Sequence, residues 1–208
     1  MAHRLRDGER GAPAAAEARV DRAARARQRP LSGGAGAEMS VNLAELKALL
    51  LEPLPLTLAV AESMTCGRVQ ARIGEISGAS EFFCGGITAY ALEQKVALLG
   101  VDRGHATEVN CVSARVANEM ACGVCRLLDA DLAVATTGYA EPAPAMGVAT
   151  PFAWIAVASR SGGIAGVRRT ERVEFPGASR QVAQAQVADA ALNALLAVLR
   201  EWTGRGVR

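Results

Sequence analysis

"LTLAVAESMTCG", residues 56–67, begins as a short apolar run and turns small and polar at Glu62. A run of that length bounded by a turn signal fits a strand buried on both faces, and the Ser, Thr and Gly that follow fit a corner into a helix. A strand feeding a helix through such a corner is the repeating unit of α/β proteins. The corner also poses a chemical question. Ser63 could be an ordinary helix N-cap, or a nucleophile aimed at a ligand.

The segments around it repeat the pattern. Apolar strand-like runs are expected at 56–61, 132–137 ("LAVATT"), 151–159 and 167–175, with Gly85-Gly86 marking one more strand entry before "ITAY". Helical spacing predicts helices over 65–73, 91–99, 113–128 and 179–202, and Asn42 with Glu45 has the spacing of a capping box ahead of "LAELKALLLE". The order is that of an α/β, three-layer α/β/α sandwich, a single domain over residues 39–208. Ligands in open α/β sheets sit beyond the carboxyl ends of strands. Two small, polar stretches occupy such ends, 63–67 and 136–138, and the site is expected where they converge. Residues 1–38 are Arg, Ala, Gly and Pro with few large apolar side chains, which predicts a disordered tail; Met39 is a possible translational start.

Composition narrows the function classes. The net charge is +2, of which residues 1–40 contribute eight Arg against five acids, leaving −1 for the rest, so the body is not a basic nucleic-acid binder. Five cysteines without a disulfide framework or secretory pattern point to the cytoplasm. The apolar runs read as too short and too interrupted to span a bilayer, so no membrane partner is expected. No His/Cys cluster has metal-ligand spacing, and no Gly-rich stretch matches a dinucleotide or phosphate-loop fingerprint, so neither metal nor cofactor is expected.

Arginine outnumbers lysine 21 to 2, and the lysines are Lys47 and Lys95. Arginine cannot lose its proton, whereas a desolvated lysine can become a neutral base. Lys47 fits a solvated helix face. The histidines are His3 in the tail and His105 in "VDRGHATE", which reads as a polar loop. A serine nucleophile here would therefore take lysine as its base, which pairs Ser63 with Lys95. Cys122 and Cys125 fall mid-helix and read as small thiols on a buried face.

These stretches, "AESMTCG", "GASEFFCGGITAYALEQKVALLGV", "VSARVANEMACG", "ADLAVATTGYAEP" and "EFPGASRQV", together resemble the C-terminal domain family of the competence-damage protein CinA, the nicotinamide-nucleotide amidases. The likeness runs from about Leu56 to Leu199. It implies hydrolysis of nicotinamide mononucleotide to nicotinate mononucleotide and ammonia, on a cytoplasmic homodimer without cofactor. It implies Ser63, Lys95 and Thr137 as catalytic residues, and Thr65, Cys66, Gly67, Tyr90, Gly138 and Arg180 as substrate contacts, with Ser63 at the start of a helix near Thr65 whose free amides stabilise an oxyanion. The chain departs from the family pattern at Met64, Cys66, Glu141, Ala178 and Ser179. These departures keep a second expectation in play, a catalytically impaired relative that binds a nucleotide or a partner.

Overall fold

The computed structural model describes residues 40–204; the expected tail over 1–38 and the start at Met39 lie outside the described residues. The elements run α1 (Leu43–Leu51), β1 (Leu58–Glu62), α2 (Arg68–Gly74), β2 (Phe83–Thr88), α3 (Leu92–Leu99), α4 (Arg103–Glu108), α5 (Ala114–Leu127), β3 (Leu132–Tyr139), β4 (Phe152–Ser161), β5 (Ile164–Glu174) and α6 (Arg180–Gly204). The sheet order is β2-β1-β3-β4-β5. β1 pairs parallel with β2 and β3, and the β3–β4 and β4–β5 pairs are antiparallel.

The strands carry two alternating sets of side chains, and each set decides what packs on it. Leu58, Val60, Leu132, Val134, Ile155 and Val157 face one layer with α1, α2 and α6. The intervening Ala59, Ala61, Ala133, Ala135, Ala156 and Ala158 face the other layer, with α4, α5 and the end of α3. Alternation follows from the period of two along a strand. Alanine on the second face lets α5 settle close to the sheet, and α5 needs a further small residue where it meets α3. A Cβ on Gly123 would lie 2.0 Å from the Leu99 carbonyl oxygen.

Helix ends follow their local chemistry. Asn42 accepts from the Glu45 amide, as expected of a cap, and Asp102 and Ser113 do the same for α4 and α5. The Asp102 cap explains why the segment around His105 is a short helix and not the loop expected. The His105 Nε2 atom lies 2.9 Å from Ser113 Oγ, and His105 is not among the residues lining the cleft described below. Lys47 is not simply solvated: its Nζ donates to the Ser77 carbonyl at 2.7 Å. α6 corrects the membrane expectation in part, because residues Arg180–Thr203 are long and apolar enough to cross a bilayer. Its apolar side chains, among them Val187, Leu192, Leu195 and Leu199, are instead buried against the sheet.

The Gly123 contact yields a stability test. Gly123→Ala places the new methyl against backbone that cannot swing aside, and is expected to cost about 2–3 kcal/mol in urea unfolding. Gly74→Ala, where a Cβ meets nothing within 4 Å, is the matched control and is expected to be neutral or slightly stabilising.

Candidate active site

The parallel strands β1, β2 and β3 end at the same edge of the sheet, and a cleft of about 390 Å³ opens there. Ser63, Met64, Tyr90, Lys95, Asn110, Cys111, Thr137, Gly138, Tyr139, Glu141 and Arg180 are among its lining residues. The backbone holds Ser63 from both sides. Its N–H donates to the Thr136 carbonyl within β3, and the Glu62 carbonyl before it accepts from Ala89 after β2.

Lys95 sits in α3 and is fully buried. Its Nζ lies 3.0 Å from Ser63 Oγ, 2.7 Å from the Ala89 carbonyl and 2.9 Å from the Tyr90 carbonyl. A neutral amine has two hydrogens and one lone pair. With both hydrogens given to the two carbonyls, the lone pair faces the Ser63 hydroxyl. Burial pushes the Lys95 pKa down from the ordinary 10.5, since the charged form loses its hydration, while a negative charge on Cys111 acts weakly the other way.

Thr137 lines the cleft, but its hydroxyl donates to the Cys111 carbonyl at 2.7 Å and makes no hydrogen bond to Ser63 or Lys95. Asn110 and Cys111 are both left-handed, with φ of 49° and 61°. Besides the Thr137 bond, Asn110 Nδ2 donates to the Tyr139 hydroxyl, so two bonds anchor this strained wall to β3. Gly138 is required by space. A Cβ there would lie 2.2 Å from the Phe152 carbonyl oxygen and 2.9 Å from Met64 Sδ. Tyr90 is exposed at the cleft mouth, where its hydroxyl accepts from Arg180 Nη2.

Three expected contacts lie elsewhere. Thr65 is fully buried, its hydroxyl 2.7 Å from that of Thr136. Cys66 is exposed with φ 52°, a left-handed backbone that glycine adopts without strain. The Gly67 amide donates to Glu62 Oε2 at 2.8 Å. None of the three lines the cleft.

The helix after Ser63 also begins later than expected, at Arg68, and its amides are already taken. Glu62 is fully buried and accepts from the amides of Gly67, Val69 and Gln70 and from Gln70 Nε2. Such a carboxylate is stable because the helix N-terminus supplies positive potential and four donors. α2 therefore offers no free N-terminal amides to a substrate. The amides of Met64 and Thr65 remain, with no acceptor among the described residues. Gln184 of α6 fixes this turn by donating to the Met64 carbonyl at 2.7 Å.

Glu62 and Gln184 escaped the sequence reading. A carboxylate followed five to eight residues later by the first turn of a helix is a signal that could have revealed Glu62. Gln184, 120 positions from Met64, left none.

The buried amine predicts how stability varies with pH. Because the Lys95 pKa is lower in the fold than in the unfolded chain, the unfolded chain binds the extra proton between the two values. Stability is then expected to rise with pH up to about 10.5 and to level off above it. Urea unfolding across alkaline pH should show this slope in the wild type, and Lys95→Met should lack that part of it.

Residues 41–199 match the family model of the CinA C-terminal domain. A CinA-like protein of Chlorobium limicola is 38% identical over 166 residues, covering 78% of this chain and 38% of that protein. A CinA-like protein of Frankia casuarinae is 49% identical over 88 residues, or 42% of this chain and 20% of that protein. The chain thus spans well under half the length of these curated relatives. Among solved structures, the competence or damage-inducible protein from Enterobacter asburiae matches with a TM-score of 0.66 at 27% identity, over 76% of this chain and 95% of that one. The competence damage-inducible protein A from Klebsiella pneumoniae matches with a TM-score of 0.67 at 28% identity, over 77% and 96%. The family match spans most of the chain and the fold agrees with it: the chain belongs to the CinA C-terminal domain family.

Proposed function

We propose that the protein is an amidohydrolase that deamidates nicotinamide mononucleotide to nicotinate mononucleotide and ammonia through a Ser63–Lys95 pair. The observation that carries this proposal is the buried Lys95 amine 3.0 Å from the Ser63 hydroxyl at a ligand-sized cleft. A serine hydroxyl is a weak nucleophile at neutral pH and needs an adjacent base. A neutral lysine, held by two carbonyls so that its lone pair meets that hydroxyl, is such a base.

The reaction divides into two steps. Ser63 Oγ attacks the carboxamide carbon while its proton passes to Lys95 Nζ. The resulting oxyanion is taken by the unpaired amides of Met64 and Thr65, in place of the occupied end of α2. Collapse breaks the C–N bond, Lys95 returns the proton to the leaving nitrogen, and ammonia departs. The nicotinoyl ester on Ser63 is then hydrolysed by water, with Lys95 again as base. Thr137 anchors the Asn110–Cys111 wall against β3, a positioning role and not a proton-transfer one. Arg180 and Tyr90 at the mouth receive the ribose phosphate end.

One observation favours the second reading, a nucleotide-binding relative with impaired catalysis. The Arg180 guanidinium is already paired with Glu141, at 2.7 Å. Turnover decides between the two. Ammonia release from nicotinamide mononucleotide is expected for the wild type and is expected to fall at least about a hundredfold in Ser63→Ala, the loss of a nucleophile. Lys95→Arg is expected to be inactive because arginine stays charged, and wild-type activity should rise with pH through the depressed lysine pKa. Binding without turnover in the wild type would support the impaired relative, and full activity in Lys95→Arg would remove Lys95 from the chemistry.

A further inference from the structure

At the cleft mouth, Arg180, the first residue of α6, donates through Nη1 to Glu141 Oε1 at 2.7 Å and through Nη2 to the Tyr90 hydroxyl at 3.0 Å. Glu141 lies in the loop after β3 and Tyr90 in the loop after β2. β1, whose end carries Ser63, lies between those strands in the sheet. The guanidinium therefore ties together segments on either side of the nucleophile.

The charge balance of the cleft follows from that clasp. Lys95 and Arg180 are the lysine and arginine among the lining residues, and Glu141 is the carboxylate. Lys95 is buried at the floor with its charge disfavoured. The permanent positive charge is therefore Arg180, and Glu141 cancels it. A phosphate entering the mouth meets a guanidinium already in use and a carboxylate beside it. A pyridinium ring without a phosphate meets that carboxylate and the rings of Tyr90 and Tyr139, which suit a cation.

We propose that Glu141 is a specificity-determining residue that, by holding Arg180, weakens the preference of the cleft for a phosphorylated pyridinium amide over the unphosphorylated nucleoside amide. The proposal rests on the amidase reading above and concerns how strongly the same site favours the phosphorylated substrate. Both partners are substantially exposed, 44% for the Arg180 side chain and 59% for Glu141, so the pair opens at little cost and imposes a bias, not a block. One carboxylate charge about 6 Å from a phosphate dianion, in surroundings close to water, corresponds to roughly a tenfold bias.

The test is the ratio of kcat/KM for nicotinamide mononucleotide to that for nicotinamide riboside, in the wild type, Glu141→Gln and Arg180→Gln. Glu141→Gln is expected to raise the ratio about tenfold at low salt, mainly through KM for the mononucleotide, and the gain should shrink at about 0.5 M salt. Arg180→Gln is expected to lower the ratio. An unchanged or lower ratio in Glu141→Gln, a change confined to kcat, or no fall in Arg180→Gln overturns the proposal. If the wild type hydrolyses neither compound, the amidase reading fails by itself, and calorimetric Kd values for the two compounds replace the rates. The same rise in the mononucleotide preference of Glu141→Gln is then expected, and equal preferences, or no binding of either compound, overturn the role given to Glu141.

Discussion

Lys95 is the constraint around which the site is arranged. A long cationic side chain is fully buried, and two backbone carbonyls and one hydroxyl take up its hydrogen-bonding capacity. Burial of an unpaired ammonium is costly, and no carboxylate accompanies this one within hydrogen-bond distance among the described residues. The cost falls when the amine gives up its proton, which is the form that can accept from Ser63. The arrangement that makes Lys95 unfavourable as a structural cation makes it suitable as a base.

The rest of the fold supplies what that pairing needs. The alanine face of the sheet lets α5 pack close, and Gly123 lets it meet the end of α3, the helix that carries Lys95. Glu62 caps α2 from inside and so shapes the turn that presents Ser63, while Gln184 ties the same turn to α6. Gly138 permits β3, β4 and Met64 to crowd together at the cleft edge. Cys66 sits in a left-handed position outside the cleft, so its Cβ bears on backbone strain and its side chain does not line the ligand site.

Much of this was legible in the sequence, for identifiable reasons. The strand and helix pattern followed from periodicity, and Ser63 with Lys95 followed from the scarcity of histidine and lysine in a chain rich in arginine. Thr65, Cys66 and Gly67, substrate contacts by the family resemblance, are next to Ser63 in the chain but do not line the cleft. In the structure the turn directs Thr65 inward to Thr136, and Gly67 toward Glu62. The Glu141–Arg180 contact joins residues 39 positions apart, and only the fold brings them together. The left-handed Asn110–Cys111 wall had no glycine to announce it.

The most direct measurement is the titration of Lys95 itself by NMR of lysine-labelled protein, where the chain's two lysines give two side-chain signals and the Lys95→Met protein assigns them. The account predicts that the Lys95 signal titrates below 10.5 and that its titration moves in Ser63→Ala. A Lys95 signal that titrates at or above 10.5, indifferent to Ser63, would contradict it.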